Sequence, residues 1–326
     1  MALEAVKFEP SMDSFVGAAL GVLRALGEEF EPDEVWGHSG LAFRTQVHRT
    51  LAPDGLFPRQ WDRTYTKVME RLGYGAMAGL RDFFYTEDDI SYLRSGWRRN
   101  IGLHLEQGLP AIAYGLHGPA FGIIHGLDES GQRYLVSTRF DGHLDEPVHF
   151  NDLGIQDPPR VFVLIPTGPL PGYDRKQAAR VVLGEAAGLL AGREPEESAE
   201  AAAPPPDLAL GLDAFEAWAE ALDVRRVIPP WGAAYTAAYY MEARGQAAAF
   251  LRRSAQSWTE AKDALESAAE RLEAQGQALE ELAKLFPLRE PQSLEDAGRR
   301  RAARECLNRA RAAQAVAQKH LQALPG

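Results

Sequence analysis

Apolar residues between positions 110 and 138 fall in three short runs, 110–116, 120–127 and 133–138. Gly/Pro pairs and an Asp-Glu-Ser-Gly turn separate them. Short apolar runs rich in Ile, Val, Phe and Tyr and bounded by breakers predict strands. Asp128 to Gly131 predicts a hairpin-type turn, with Gly131 available for a positive φ. The run Arg160 to Pro166 (RVFVLIP) is continuously apolar after its arginine, which predicts a strand buried on both faces. An antiparallel sheet is therefore expected in the N-terminal half.

A three-and-four periodicity replaces this pattern elsewhere. Phe15, Val16, Ala19, Leu20, Leu23 and Leu26 predict a helix capped by Asp13 or Ser11 and stopped by Gly27. Its small residues Gly17, Ala18, Ala19 and Gly21 permit close backbone approach, which places it centrally against the sheet. Residues 58–72 and 86–106 read as helices, the second capped by Thr86 with Ile90, Leu93, Trp97, Ile101, Leu103 and Leu105 in its buried stripe. Gly37 and Gly40 flank His38 and Ser39, which predicts a tight turn presenting those side chains. Residues 173–191 form an amphipathic helix, and the Pro-, Glu- and Ala-rich stretch 192–207 reads as a linker. Helices are expected over 208–222, 231–253, 258–286 and 294–324, the last two folding back as a hairpin across Pro287 and Pro291. Ser257 with Glu260, and Ser293 with Asp296, supply capping-box patterns. The fold class is α+β: an α+β domain over 1–170, a helix and linker over 171–207, and an all-α domain over 208–326.

With 326 residues the chain is long enough for two domains. Its net charge of −11 is concentrated in acidic residues 1–170. Neither half carries the basic footprint that phosphate backbones demand, so nucleic acid is not an expected partner. The single cysteine, Cys306, excludes an intrachain disulfide and a zinc site of two cysteines and two histidines or of four cysteines. The apolar patch 15–26 is too short to span a bilayer, so no membrane partner and a cytoplasmic location are expected.

Several polar residues invite a chemical reading. Asp13 and Ser14 stand at the first turn of the first helix, where backbone N–H groups favour an anion. Ser14 is a candidate nucleophile, with His38, His117 or His125 as base. The bland alternatives are a capping serine, a hydrogen-bonded core histidine at 125 and an exposed turn histidine at 117. His38, Ser39 and Arg44 form a candidate ligand cluster, Arg44 offering a planar fork for a carboxylate or phosphate. Trp231, Tyr235 and Tyr239 recur every four residues, so Trp231 and Tyr235 are pocket candidates, although such a stripe is more often core. The residues His143 to His149 offer no metal-ligand spacing, since Pro147 interrupts them. No metal and no cofactor are expected. The arginines of residues 299–311 face the glutamates of residues 266–281 as interhelix charge pairs.

The small-residue helix FVGAALGVLRALG (15–27), GHSGLAFR (37–44) and GLPAIAYGL…FGIIHGLD (108–128) together resemble the papain-like cysteine peptidase superfamily. Within it the likeness is to the bacteriocin-processing branch, and most narrowly to the N-terminal domain of butirosin-biosynthesis H-type acyltransferases of natural-product biosynthesis. The resemblance implies an antiparallel sheet packed on a central helix and acyl or peptidyl transfer by a cysteine, a histidine and an orienting Asn or Asp. Those positions fall at or near Ala18, Ala120 and Ser137 or Thr138, none of which carries the needed chemistry. The expectation is thus a non-catalytic papain-like protein that binds a small molecule or peptide in the cleft between the first helix and the sheet. Two alternatives stand beside it. One is an acyl or peptidyl transferase or hydrolase with altered catalytic residues. The other is an interaction module that forms a homodimer through its C-terminal helices.

Overall fold

The computed structural model describes residues 3, 6–58, 60–82, 87–139, 146–154, 160–193, 205–223, 231–288 and 296–325. The architecture is α+β. The chain divides into two compact units, residues 1–35 with 60–175, and residues 36–59 with 176–326. Residues 36–59, contiguous in sequence with the sheet-forming half, thus belong with the C-terminal helices.

The first unit is built on an antiparallel sheet in the order β2-β7-β3-β4-β5-β6. Its strands are β2 (Tyr74–Asp82), β3 (Ala111–Tyr114), β4 (Phe121–Leu127), β5 (Arg133–Ser137), β6 (Val148–His149) and β7 (Arg160–Pro169). Four of these, β3, β4, β5 and β7, coincide with the apolar runs. The β4–β5 turn closes at Gly131 with φ 65°, and the Asp128 carboxylate accepts the Gln132 and Arg133 N–H groups at 2.9 and 3.1 Å. Those bonds and the Ser130 hydroxyl hold the Asp128 carboxyl below its ordinary range, the hydroxyl contributing most.

The sheet is covered on both faces. Against one face lie α1 (Ser14–Ala25) and α3 (Trp61–Arg71), and an aromatic cluster fills the interface. Phe15 stacks on Tyr65 with centroids 3.8 Å apart, and Phe121 meets Phe15, Tyr65 and Phe162 edge-on. On the other face α4 (Glu87–Leu105) sets Ile101 and Leu105 against Ala111, Ala113, Ile124, Val136, Val161, Val163 and Ile165. Alternate residues of β7 serve the two layers, which is why the run 161–166 has no polar position.

In α1 the expected cap is Asp13, whose carboxylate accepts the N–H groups of Phe15 and Val16 at 2.8 and 3.2 Å. Gly27 ends the helix at φ 84°. The glycines of α1 do allow close approach, but chiefly by the N-terminal segment: a Cβ at Gly17 or Gly21 would stand against the carbonyl oxygens of Glu9 and Lys7.

The second unit holds α5 (Arg175–Leu190) from Lys176 onward, α6 (Asp213–Asp223), α7 (Gly232–Ser257), α8 (Lys262–Leu285) and α9 (Ala297–Gln322). Helix α8 packs along both α7 and α9, so the last two helices form the expected hairpin. Of the arginine run, Arg309 pairs with Glu281 on α8 as expected, whereas Arg304 and Arg311 pair instead with Asp223 and Glu216 on α6. No helix among the described residues is long and apolar enough to cross a membrane.

Five local expectations need correction. Leu103, expected in the buried stripe of α4, is 47 % exposed, on the side of the helix away from Ile101 and Leu105. Residues 208–210 are not helical: β8 (Leu208–Leu210) pairs antiparallel with β1 (Gln46–His48), and the helix starts only after Gly211. Gly37, His38 and Ser39 are not a turn but the end of α2 (Pro32–Ser39). Gly37 is accommodated there because the Phe250 ring fills the place of its Cβ, and the turn is left to Gly40 at φ 74°. Ser257 caps nothing, since its hydroxyl donates to the Ser254 carbonyl and α8 begins at Lys262. Asp296 is itself the N-cap of α9, accepting the Gly298 and Arg299 N–H groups; its expected partner Ser293, like Thr86, Pro291 and His143, lies outside the described residues. Strand β2 has no counterpart in the expected elements.

Candidate functional site

Ser14 opens α1 and is 1 % exposed. Its Oγ accepts the Phe121 N–H at 3.0 Å, which ties the head of α1 to the start of β4. Among the described residues no histidine is hydrogen-bonded to it. The helix N-terminus beside it is occupied by the Asp13 carboxylate, so the N–H groups that would attract an external anion are already taken. Ser137 and Thr138, the two places where the resemblance puts the orienting residue, are both buried; Ser137 Oγ accepts the Phe8 N–H at 3.0 Å, and Thr138 Oγ1 has no hydrogen-bond partner among the described residues. The junction of α1 with the sheet is filled by Phe15, Tyr65, Phe121 and Phe162, each almost wholly buried. Side chains thus occupy the space in which the cleft was expected.

The candidate bases go elsewhere. His117 lies between β3 and β4, with Nε2 2.8 Å from the Glu146 carbonyl oxygen. A carbonyl only accepts, so that nitrogen carries the proton and donates. His125 is half-buried in β4 at an irregularity in its pairing with β5, between Ile124 and Gly126. His38 belongs to the other unit, buried on α2 with its ring edge-on to Phe250 at 5.3 Å.

His38, Ser39, Arg44, Trp231 and Tyr235 all fall in the second unit. The Ser39 hydroxyl donates to the Trp36 carbonyl at 2.7 Å and accepts the Leu41 N–H at 3.1 Å, shaping the end of α2. Trp231 is 45 % exposed and meets Tyr235 edge-on at 5.6 Å, whereas Tyr239 and Tyr240 are buried. The stripe is therefore core at one end and surface at the other.

The polar centre of this unit is Arg244, fully buried on α7. Its guanidinium donates to the carbonyl oxygens of Ala42 and Arg44, to Thr45 Oγ1 and to Gln314 Oε1. Gln314 also accepts from Gln275 at 3.0 Å and donates to the Leu190 carbonyl at 2.8 Å. Among the described residues no carboxylate takes part, and oxygen dipoles face the charge; burial pushes the Arg244 pKa down to about 10. The arrangement holds residues 42–46 onto α7 and α9 with its polar groups turned inward. That geometry suits a fastening rather than a site open to solutes. One signal for it stood in the sequence: Gln275 and Gln314 occupy apolar-spaced positions among Leu272, Leu279, Leu307 and Leu321.

An open groove lies elsewhere in this unit, between α5, Trp258 and the end of α9, with a volume of about 790 Å³. Its floor is the Gly184 and Gly188 face of α5, and Arg180 lies over the Trp258 ring at 5.4 Å. Nothing in the sequence pattern singled this groove out, because its walls come from three distant segments. Among the described residues no group of His, Cys, Asp and Glu is placed to hold a metal ion.

No known protein family matches this chain, and no curated protein matches its sequence.

Proposed function

We propose that this chain is a non-catalytic relative of the papain-like group that binds a small molecule or peptide and transfers no acyl group. One observation carries the reading. Ser14, the candidate nucleophile at the head of α1, is buried with its oxygen accepting the Phe121 N–H, and no imidazole is bonded to it among the described residues. A serine attacks only when a base removes its proton and its oxygen faces the acyl carbon. A first helix packed on an antiparallel sheet that follows it in the chain supports the kinship, although β2 enters that sheet ahead of α4. Because aromatic rings close the α1–sheet junction, the reading assigns ligand binding to the open groove of the second unit.

The test is exposure of the full chain to a fluorophosphonate probe and to activated esters. The expected result is no covalent adduct and no turnover above that of Ser14→Ala. Stoichiometric labelling at Ser14, lost in Ser14→Ala, would replace this reading with that of an acyl transferase or hydrolase.

A further inference from the structure

We infer that the groove of the second unit takes a monocarboxylate with an extended apolar body. This rests on the reading of the chain as a binding protein and names the class of ligand.

The groove volume of about 790 Å³ is that of a small-molecule site, for which roughly 300–1,000 Å³ is usual. Its floor is smooth because Gly184 carries no side chain and a Cβ there would meet nothing within 4 Å. One turn earlier Val181 is 46 % exposed, an apolar side chain left facing the groove. Trp258 forms one wall, and Leu321 and Leu324 of the C-terminal segment contribute further apolar surface. An aliphatic or flat aromatic body fits such walls.

The charged groups define the other end of the ligand. Two arginines line the groove, Arg180 and Arg193, and neither makes an ion pair among the described residues. Arg180 presents its face to the Trp258 ring, which leaves its N–H edge to fork a planar carboxylate. Among the described lining residues the single carboxylate is Glu185, so their formal charge is +1 in a chain of −11. A monoanion neutralises that charge; a dianion would carry a surplus toward Glu185, and a cation would meet two arginines.

The experiment is titration calorimetry of the full chain with dodecanoate below its micelle concentration, with dodecanol and dodecyltrimethylammonium as controls. Dodecanoate is expected to bind one site, at least about tenfold more tightly than either control, since a lost charge-assisted hydrogen bond is worth that ratio. Arg180→Gln and Arg193→Gln should each weaken it about tenfold, and added salt should weaken it further. Gly184→Leu, on an open helix face, should block it while circular dichroism stays unchanged; if that variant misfolds, the two arginine variants decide. Absence of binding, equal binding of dodecanol, or insensitivity to both arginine variants would overturn the ligand class. Fluorophosphonate labelling on the same sample separates the two claims. Unlabelled Ser14 with no dodecanoate binding removes only the ligand class, whereas labelled Ser14 removes the non-catalytic reading whatever the titration gives.

Discussion

Tyr240 and Gln46 exchange a pair of hydrogen bonds: the Tyr240 hydroxyl donates to the Gln46 carbonyl oxygen and accepts the Gln46 N–H at 2.8 Å. A side chain of α7 thereby satisfies both backbone groups of a residue in β1, whose strand partner among the described residues is β8 alone. The Gln46 side chain closes the local structure by donating to the Gly55 and Phe57 carbonyls at 2.8 and 2.7 Å. Together with Arg244 this gives residues 42–57 their place among helices far away in sequence.

Tyr240→Phe keeps the ring and removes both bonds, leaving a buried N–H and a buried C=O without partners. At about 1–3 kcal/mol for each orphaned group, the variant should lose roughly 2–6 kcal/mol of stability. Urea unfolding monitored by circular dichroism measures it, and a loss below about 0.5 kcal/mol would show that the pair contributes no net stability.

Alkaline pH should destabilise the fold. Burial pushes the phenols of Tyr74, Tyr173 and Tyr240 up to about 12, aided at Tyr74 by the hydrogen bond to Glu28. In the unfolded chain they titrate near 10. Between about pH 10 and pH 12 the unfolded state has therefore released protons that the native state still holds, so stability falls as pH rises. Arg244 acts in the opposite sense, because burial lowers it to about 10 and the native state releases its proton first. It offsets one of three groups. The urea midpoint should drop from pH 8 to pH 11, and the drop should shrink in Tyr240→Phe. A midpoint that holds or rises at pH 11 would contradict the assignment.

Gly21→Ala offers a test of sign. In an open helix the change would gain about 1 kcal/mol. In α1 the added methyl would stand against the Lys7 carbonyl and the Ile123 side chain. Overpacking of this kind typically costs about 1–3 kcal/mol. The variant should therefore be less stable than the wild type, while Gly184→Ala on the exposed face of α5 should be at least as stable. Thermal melts of the two side by side decide the matter.

Residues whose partners lie close in sequence declared themselves. Asp13 and Gly27 bound α1, the Asp128–Gly131 turn closes the β4–β5 hairpin, and the apolar run 160–166 is a strand of the sheet interior. Strand β2 was invisible because its sequence, YGAMAGLRD, has neither alternation nor β-branched residues; nine residues of pairing with β7 make it a strand.

Local pattern alone determined the α+β class, the sheet of the N-terminal half and the helical C-terminal region, since each follows from the spacing of apolar residues and the breakers around them. Tertiary structure decided the rest. It assigned residues 36–59 to the helical unit through Arg244 and Tyr240, turned the head of α1 into a buried cap, and brought Arg180, Arg193 and Trp258 around one groove. The physical reason is that buried hydrogen bonds and cavities join residues distant in the chain, and no window of sequence contains both partners.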